Sequence, residues 1–357
     1  MHRILAINPG STSTKFAVYF DDKCVLNKTI RHSMDELLRY KNVVDQFDFR
    51  KSFIIDALVE EGIEVDSIKI IIGRGGLTYP LESGVYRVNN QMIKHAREGI
   101  LGQHASNLGP LLADYIALQI PKAQAFIADP VVTDEMDEVA RIAGHPEFER
   151  LSIFHALNQK ATARLHARET GKKYESLNLI VAHLGGGISV GAHKKGRVVD
   201  VNNAFDGEGP FSPERSGTLP VGQLITACFS GKYSEEKIRR MVVGEGGFVG
   251  YLGTNSAKDV QKQAESGNEK AQQVQEALFY QVSKLIGEMA VVLNGKVDAI
   301  LLTGGLAYND ELENYIKTKA GFIAPVYTYP GEDELEALAM NALRVARNEV
   351  EVKEYER

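Results

Sequence analysis

Three stretches of small residues stand directly after short apolar runs. Asn8-Pro9-Gly10-Ser11 follows Ile4–Ile7, Gly185-Gly186-Gly187 follows the run from Leu179 to Leu184, and Gly304-Gly305 follows Ala299–Thr303. Residues without bulk let backbone N–H groups approach phosphate oxygens, so each turn could serve as an anion nest for a nucleotide. No G-x-x-x-x-G-K-[ST] occurs and none of the turns opens a G-x-G-x-x-G unit, which excludes a P-loop and a dinucleotide fingerprint. Asp129 comes directly after Phe126-Ile127-Ala128, at the carboxyl end of a strand, where α/β sheets place active-site acids. The acids Glu332-Asp333-Glu334 precede a helix-period stretch, where carboxylates suit a helix N-terminus.

Such turns need strands to aim them. Strand-length apolar runs at Ile4–Ile7, Ile68–Ile72, Gln124–Ala128, Leu177–Ala182, Ala299–Thr303 and Pro325–Tyr329 alternate with helix-period stretches. Helices are expected at Lys51–Glu61, Leu108–Gln119, Phe154–Thr170, Asn268–Leu293 and Glu334–Asn348, and loops at Asn202–Gly217 and Gly244–Gly253. An internal repeat pairs Ile4-Leu5-Ala6-Ile7 with Leu179-Ile180-Val181-Ala182 at an offset of 175 residues. In both copies a strand runs through a small-residue turn into a second strand, which implies two related domains.

At 357 residues, 44% hydrophobic and 25% charged, the chain falls in the globular class with room for two or three cores. A net charge of −6 without a like-charge block argues against a nucleic-acid binder and favours a small-molecule partner. Two cysteines, Cys24 and Cys228, are too few and too far apart for a disulfide framework or a metal knuckle. They read as two small hydrophobes in a reducing compartment. The apolar run at Ile4–Ile7 is too short for a signal segment, and no run nears the ~20 residues that span a bilayer. A cytoplasmic location without membrane attachment is expected.

The ordered segments Asn8-Pro9-Gly10-Ser11-Thr12-Ser13-Thr14-Lys15, His183-Leu184-Gly185-Gly186-Gly187, Glu214-Arg215-Ser216-Gly217 and Thr303-Gly304-Gly305 together resemble the signatures of the acetate and butyrate kinases. These enzymes belong to the sugar kinase, Hsp70 and actin superfamily. The string Gly73-Arg74-Gly75-Gly76-Leu77 is closer to the butyrate side of that family. The resemblance implies an α/β chain of two ribonuclease-H-like domains with an active-site cleft between them. Residues 1–150 plus 333–357 would form the N-terminal domain with the first phosphate loop and the carboxylate site, and 151–332 the C-terminal domain.

By the same resemblance, Asn8, Ser11, Ser13 and Lys15 match the first phosphate loop, and Gly185, Gly186 and Gly187 the second. Gly186 stands where acetate kinases carry asparagine. Gly304 and Gly305 match the turn under the nucleoside. Arg215 matches an arginine assigned to the transferred phosphoryl group, where a forked, permanent cation suits charge spread over equatorial oxygens. Arg74 is implied as the clamp on the substrate carboxylate, standing for either an arginine or a histidine of the family. His155 matches a histidine near the phosphoryl, His183 is implied to bind or shape the second loop, and His104 matches a third family histidine. Asp129 and Glu334, or Asp333 in its place, are implied around Mg²⁺.

The implied reaction is reversible phosphoryl transfer between ATP and a short-chain carboxylate, butyrate foremost, with isobutyrate, acetate or propionate as alternatives. Its products are an acyl phosphate and ADP. A sugar or polyol kinase, or an ATP-driven chaperone of the same superfamily, competes with it. A homodimer or higher homo-oligomer is expected. Two further expectations concern the acyl pocket: glycines flanking Arg74 replace the valines that wall the acetate pocket and should deepen it, and Asp206 implies a loop that runs differently.

Overall fold

Ile4–Ile7 is wholly buried, as befits a strand covered on both faces. It lies within β1 (Arg3–Pro9), which pairs antiparallel with β2 (Ser13–Phe20) and parallel with β4 (Ile70–Arg74), while β3 (Lys23–Arg31) flanks β2. The strands β5 (Val85–Arg87) and β6 (Gln124–Ala128) extend the sheet beyond β4, and Val352–Lys353 closes its far edge. The computed structural model describes residues 1–356 and divides them into two units. The first is Met1–Asp134 with the segment that begins at Asp333, and the second is Glu135–Glu332.

In the second unit, β7 (Asn178–Leu184) pairs antiparallel with β8 (Ile188–Lys194), whose outer neighbour is β9 (Arg197–Val201). On its other side β7 runs parallel to β10 (Ala299–Gly304), and β10 to β11 (Val326–Pro330). Thus β3-β2-β1-β4-β6 and β9-β8-β7-β10-β11 have the same order and sense. The sequence repeat falls on the two central strands, β1 and β7, and the architecture is the duplicated α/β design. Helices Phe47–Glu60, Leu108–Gln119 and Glu334–Ala346 belong to the first unit; Ala156–Glu169, Glu269–Val292 and Asp310–Ala320 belong to the second. Each unit buries its own core, with Phe16, Ile71, Leu112 and Ile127 in one and Val190, Leu278, Val282 and Leu302 in the other.

Three expectations need correction. Residues 135–150 cluster with the second unit. Glu135 Oε2 there accepts from Lys160 Nζ at 2.7 Å and from the Val198 N–H at 2.9 Å, and Arg150 pairs with Asp200 and Glu208. The stretch Gly244–Gly253 contains a helix, Gly247–Leu252, whose glycines hid its period. Cys24 and Cys228 are exposed free thiols rather than buried hydrophobes. No helix among the described residues is long and apolar enough to cross a membrane.

His193 on β8 is fully buried. Its Nε2 donates to Gln159 Oε1 at 2.9 Å and its Nδ1 accepts from Tyr174 Oη at 2.7 Å, a pairing that the neutral ring satisfies. Burial, with Lys160 and Arg164 nearby, holds its pKa well below the ordinary histidine value. The unfolded chain therefore takes up this proton first as pH falls, so the stability is complete above about pH 6.5 and is lost below it, by up to about 1.4 kcal/mol per pH unit. Melting temperature measured from pH 7.5 to 5 should fall on the acid side, and His193→Asn should flatten the fall. An unchanged slope in that variant would contradict this account.

Candidate active site

In the first unit the turn between β1 and β2 is closed by the Gly10 N–H donating to Ser13 O at 2.8 Å. Ser11 and Thr12 are exposed at its tip, and Asn8 and Lys15 are cross-strand partners on β1 and β2. Lys15 is exposed and Asn8 is buried. The side chain of Asn8 donates to Glu334 Oε2, and Arg74 Nη1 reaches the same oxygen at 3.0 Å. Arg74, at the end of β4, also lies 3.4 Å from Asn8 Oδ1. Asp333 is the N-cap of helix Glu334–Ala346, its Oδ1 accepting from the Glu336 N–H at 2.8 Å. Between the two acids, it is thus Glu334 that joins Arg74 and Asn8, leaving Asp333 as the cap.

Asp129 follows β6 with φ 38°, in the left-handed region that non-glycine residues seldom enter. The carboxylate is buried, and its Oδ1 accepts from Ser83 Oγ at 2.6 Å and from the Gly84 N–H at 3.0 Å. Ser83 and Gly84 stand far upstream in the chain, so no local pattern announces them. His104 caps the short turn Ala105–Asn107 through its Nδ1, which accepts from the Ser106 N–H at 3.2 Å.

The glycines around Arg74 do not open a pocket. A Cβ on Gly73 would overlap the Gly109 backbone, one on Gly75 would meet Pro130 Cβ at 2.5 Å, and one on Gly76 would meet Asn107 Cα at 2.6 Å. Helix Leu108–Gln119, the turn before it and Pro130 already fill that space. Asn107, fully buried, accepts from the Leu77 N–H at 2.8 Å and locks the Arg74–Leu77 strip in place. These glycines therefore serve close packing of neighbouring segments and do not deepen an acyl pocket.

In the second unit His155 precedes helix Ala156–Glu169, and His183 lies near the end of β7. Their rings stack with centroids 3.7 Å apart and planes within 10°. Ser189 Oγ accepts from Gln159 Nε2 at 2.8 Å and lies 2.9 Å from His155 Nδ1. Ser189 thus ties the His155 ring to Gln159 and fixes its orientation. His183 Nδ1 donates to Asn158 Oδ1 at 2.8 Å, and its Nε2 lies 3.4 Å from Glu332 Oε2.

The Gly185 N–H donates to Gly187 O at 3.1 Å, and Ser212 Oγ donates to Gly186 O at 2.5 Å. Ser212 also accepts from the Arg215 N–H at 3.2 Å, tying the second loop to the arginine segment. A Cβ on Gly187 would overlap the Arg215 guanidinium and lie 3.2 Å from His155 Cε1. Arg215 Nη1 donates to Ala204 O, and the guanidinium sits 5.6 Å from the centre of the Phe205 ring. Its buried Nε has no hydrogen-bond partner among the described residues, and burial lowers its pKa although Glu214 and Asp206 oppose this. A largely buried cation with an unused donor is fitted to an anion. Asp206 folds back on Asn203, whose Nδ2 donates to it at 3.0 Å, and burial pushes its carboxyl up.

Gly304 has φ 89°, and a Cβ there would overlap the Leu184 backbone, so this glycine lets the third turn press on the second. Gly305 has open space where a Cβ would stand. It lines an apolar pocket with Phe248, Leu278, Phe279, Leu306 and Leu312, rimmed by Gln261 and Gln275. Ser189, Gln159, Ser212 and Asn107 were not legible as site residues, because the contacts that bring them there, to Gln159, Ser189, Gly186 and Leu77, span 26 to 30 residues.

The acetokinase family model matches residues 150–318. Butyrate kinase 1 of Clostridium acetobutylicum is 55% identical over 355 residues, covering 99% of this chain and 100% of that protein. A probable butyrate kinase of Clostridium botulinum is 54% identical over 356 residues, covering 99% of each. Among solved structures, the acetate kinase of Porphyromonas gingivalis superposes with a TM-score of 0.80 at 18% identity, covering 97% of this chain and 100% of that one. With full-length identity at this level and the duplicated fold in common, the chain belongs to the acetate and butyrate kinase family.

Proposed function

We infer that this chain transfers the γ-phosphoryl group of ATP reversibly to the carboxylate of a short-chain acid, butyrate, giving an acyl phosphate and ADP. The Arg215 site carries the reading: a forked, largely buried cation against a glycine loop, with the His155 ring beside the same glycine. Full-length identity to butyrate kinases selects the acceptor. A carboxylate oxygen attacks the γ-phosphorus and the bond to the ADP oxygen breaks. The carboxylate is already a nucleophile at neutral pH, so no proton has to move and no general base is needed. The residues instead position and neutralise anions.

In the second unit, Arg215 and His155 serve the transferred phosphoryl, Gly185, Gly186 and Gly187 the phosphate chain, His183 the shape of that loop, and the pocket at Gly305 the nucleoside. Gly304 supports it from behind. In the first unit, Asn8, Ser11, Ser13 and Lys15 form a phosphoryl loop, and Arg74, held by Glu334, clamps the carboxylate.

Asp129 and Glu334 are the residues we assign to Mg²⁺. Glu334 retains Oε1, its Oε2 being engaged by Arg74 and Asn8. Among the described residues no group of three or more His, Cys, Asp or Glu side chains forms a cage. That sparse set suits Mg²⁺, which keeps waters and phosphate oxygens around one or two carboxylates. Bound there, the ion would offset phosphate charge. Asp129→Asn and Glu334→Gln should each raise the Mg²⁺ concentration for half-maximal rate at least ~10-fold, the size of loss typical when a ligand shell is disturbed. Unchanged titrations would move the metal elsewhere. Trapping the product with hydroxylamine tests the reaction: butyrate should give an ATP-dependent hydroxamate, whereas phosphorylation of glucose or glycerol instead would favour the sugar-kinase reading.

The chain is also proposed to be cytoplasmic, in keeping with its exposed free thiols, and homo-oligomeric. Helix Val221–Phe229 has no buried residue, and Val221, Ile225 and Phe229 follow one another at four-residue spacing on one exposed stripe. A second copy would cover this stripe. Ile225→Glu with Phe229→Glu should lower the sedimenting mass to that of one chain. An unchanged mass would place the interface elsewhere.

A further inference from the structure

Arg50 lies in helix Phe47–Glu60 and is completely buried, yet it belongs to none of the motifs above. Its Nη1 donates to Gly10 O and Ser13 O at 2.8 Å each and to Thr14 Oγ1 at 3.2 Å. Its Nη2 donates to Ser11 O at 3.2 Å and to Gln46 Oε1 at 2.8 Å, which also accepts from Nε at 3.0 Å. Every acceptor is neutral: among the described residues no carboxylate forms an ion pair with Arg50. Burial lowers its pKa to about 10.

In a trans peptide the C=O and the following N–H point in opposite directions. Drawing the carbonyls of Gly10 and Ser11 inward onto Arg50 therefore turns the N–H groups of Ser11 and Thr12 outward, and among the described residues neither donates to another protein group. Outward N–H groups on consecutive residues make an anion nest. A neutral connector such as glutamine could hold two of these carbonyls, whereas a buried cation without a counter-ion is disfavoured unless an anion comes near.

We propose that Arg50 is a positioning residue of the phosphoryl loop, orienting its N–H groups and holding an unneutralised positive charge beneath the phosphoryl group that the loop receives. This rests on the reading of residues 8–15 as a phosphoryl loop. Gln46→Glu tests the charge, because it keeps the acceptor and the donors in place while neutralising the guanidinium. Thermal stability should hold or rise, and kcat/KM for ATP should fall at least ~10-fold with KM for butyrate within twofold, since a unit charge a few ångströms from a phosphate is strongly felt in a site of low dielectric. A merely structural Arg50 would leave the kinetics of Gln46→Glu within twofold of the parent, and that result would overturn the proposal. Arg50→Lys tests the fork: it keeps the charge but cannot span these acceptors, so kcat should fall at least ~10-fold, and parental kinetics would contradict the orienting role. Lys15→Ala separates the two levels. If it is impaired while both other variants are not, only the Arg50 proposal fails; if it too is unimpaired, the phosphoryl-loop reading fails with it.

Discussion

Arg215→Lys is expected to lower kcat at least ~100-fold while leaving the melting temperature and the KM for butyrate close to the parent values, a loss like that of an oxyanion-hole donor. Lysine keeps the charge but offers a point donor on a flexible stem in place of a planar fork. The geometry makes the fork matter. Nη1 is held by Ala204 O, the plane lies over Gly187 and beside Phe205, and the buried Nε has no partner among the described residues. Such a group is anchored at one corner and available at the others. Charge in the transition state is spread over three equatorial oxygens, so a donor set with fixed directions stabilises it more than the ground state. Steady-state kinetics at saturating ATP decide the matter: kcat within threefold of the parent would remove Arg215 from the reaction.

Gly187→Ala is expected to cost a comparable factor, ~10- to 100-fold in kcat, because a displacement of about 1 Å at a reacting group can cost that much. The new methyl would occupy the position of the guanidinium and press on His155 Cε1 at 3.2 Å. Either Arg215 or the loop must move, and both are assigned to the phosphoryl group. Gly186→Ala is the matched control, since the nearest atom to a Cβ there is Glu214 Oε1 at 4.0 Å. It should retain most of the activity. Equal loss in the two variants would mean that loop flexibility, rather than room for Arg215, sets the rate.

Much of the first layer was legible. The offset of 175 residues located both central strands, because a buried strand leaves an unbroken apolar run and its turn leaves glycines. The helix at Leu108–Gln119 kept the bounds read from its pattern. Apart from the helix Gly247–Leu252, hidden by its own glycines, the features that were missed depended on partners outside the local window. The glycines at 73, 75 and 76 look like missing side chains in sequence, yet their space is taken by Gly109, Pro130 and Asn107 from later segments. Glu135 and Arg150 declare their unit only through Lys160, Val198, Asp200 and Glu208. Arg50 sits in a helix of ordinary appearance, and nothing near it in sequence shows that four residues of a distant turn converge on it.

A preference for butyrate is supported by full-length identity to butyrate kinases, not by the glycines around Arg74. The direct measurement is kcat/KM for butyrate and for acetate, in one hydroxamate assay at fixed ATP and Mg²⁺. Two further buried methylenes contribute about 1.6 kcal/mol, so butyrate should be preferred by a little over ~10-fold. Acetate equal to or better than butyrate, or no hydroxamate from either acid, would contradict the account.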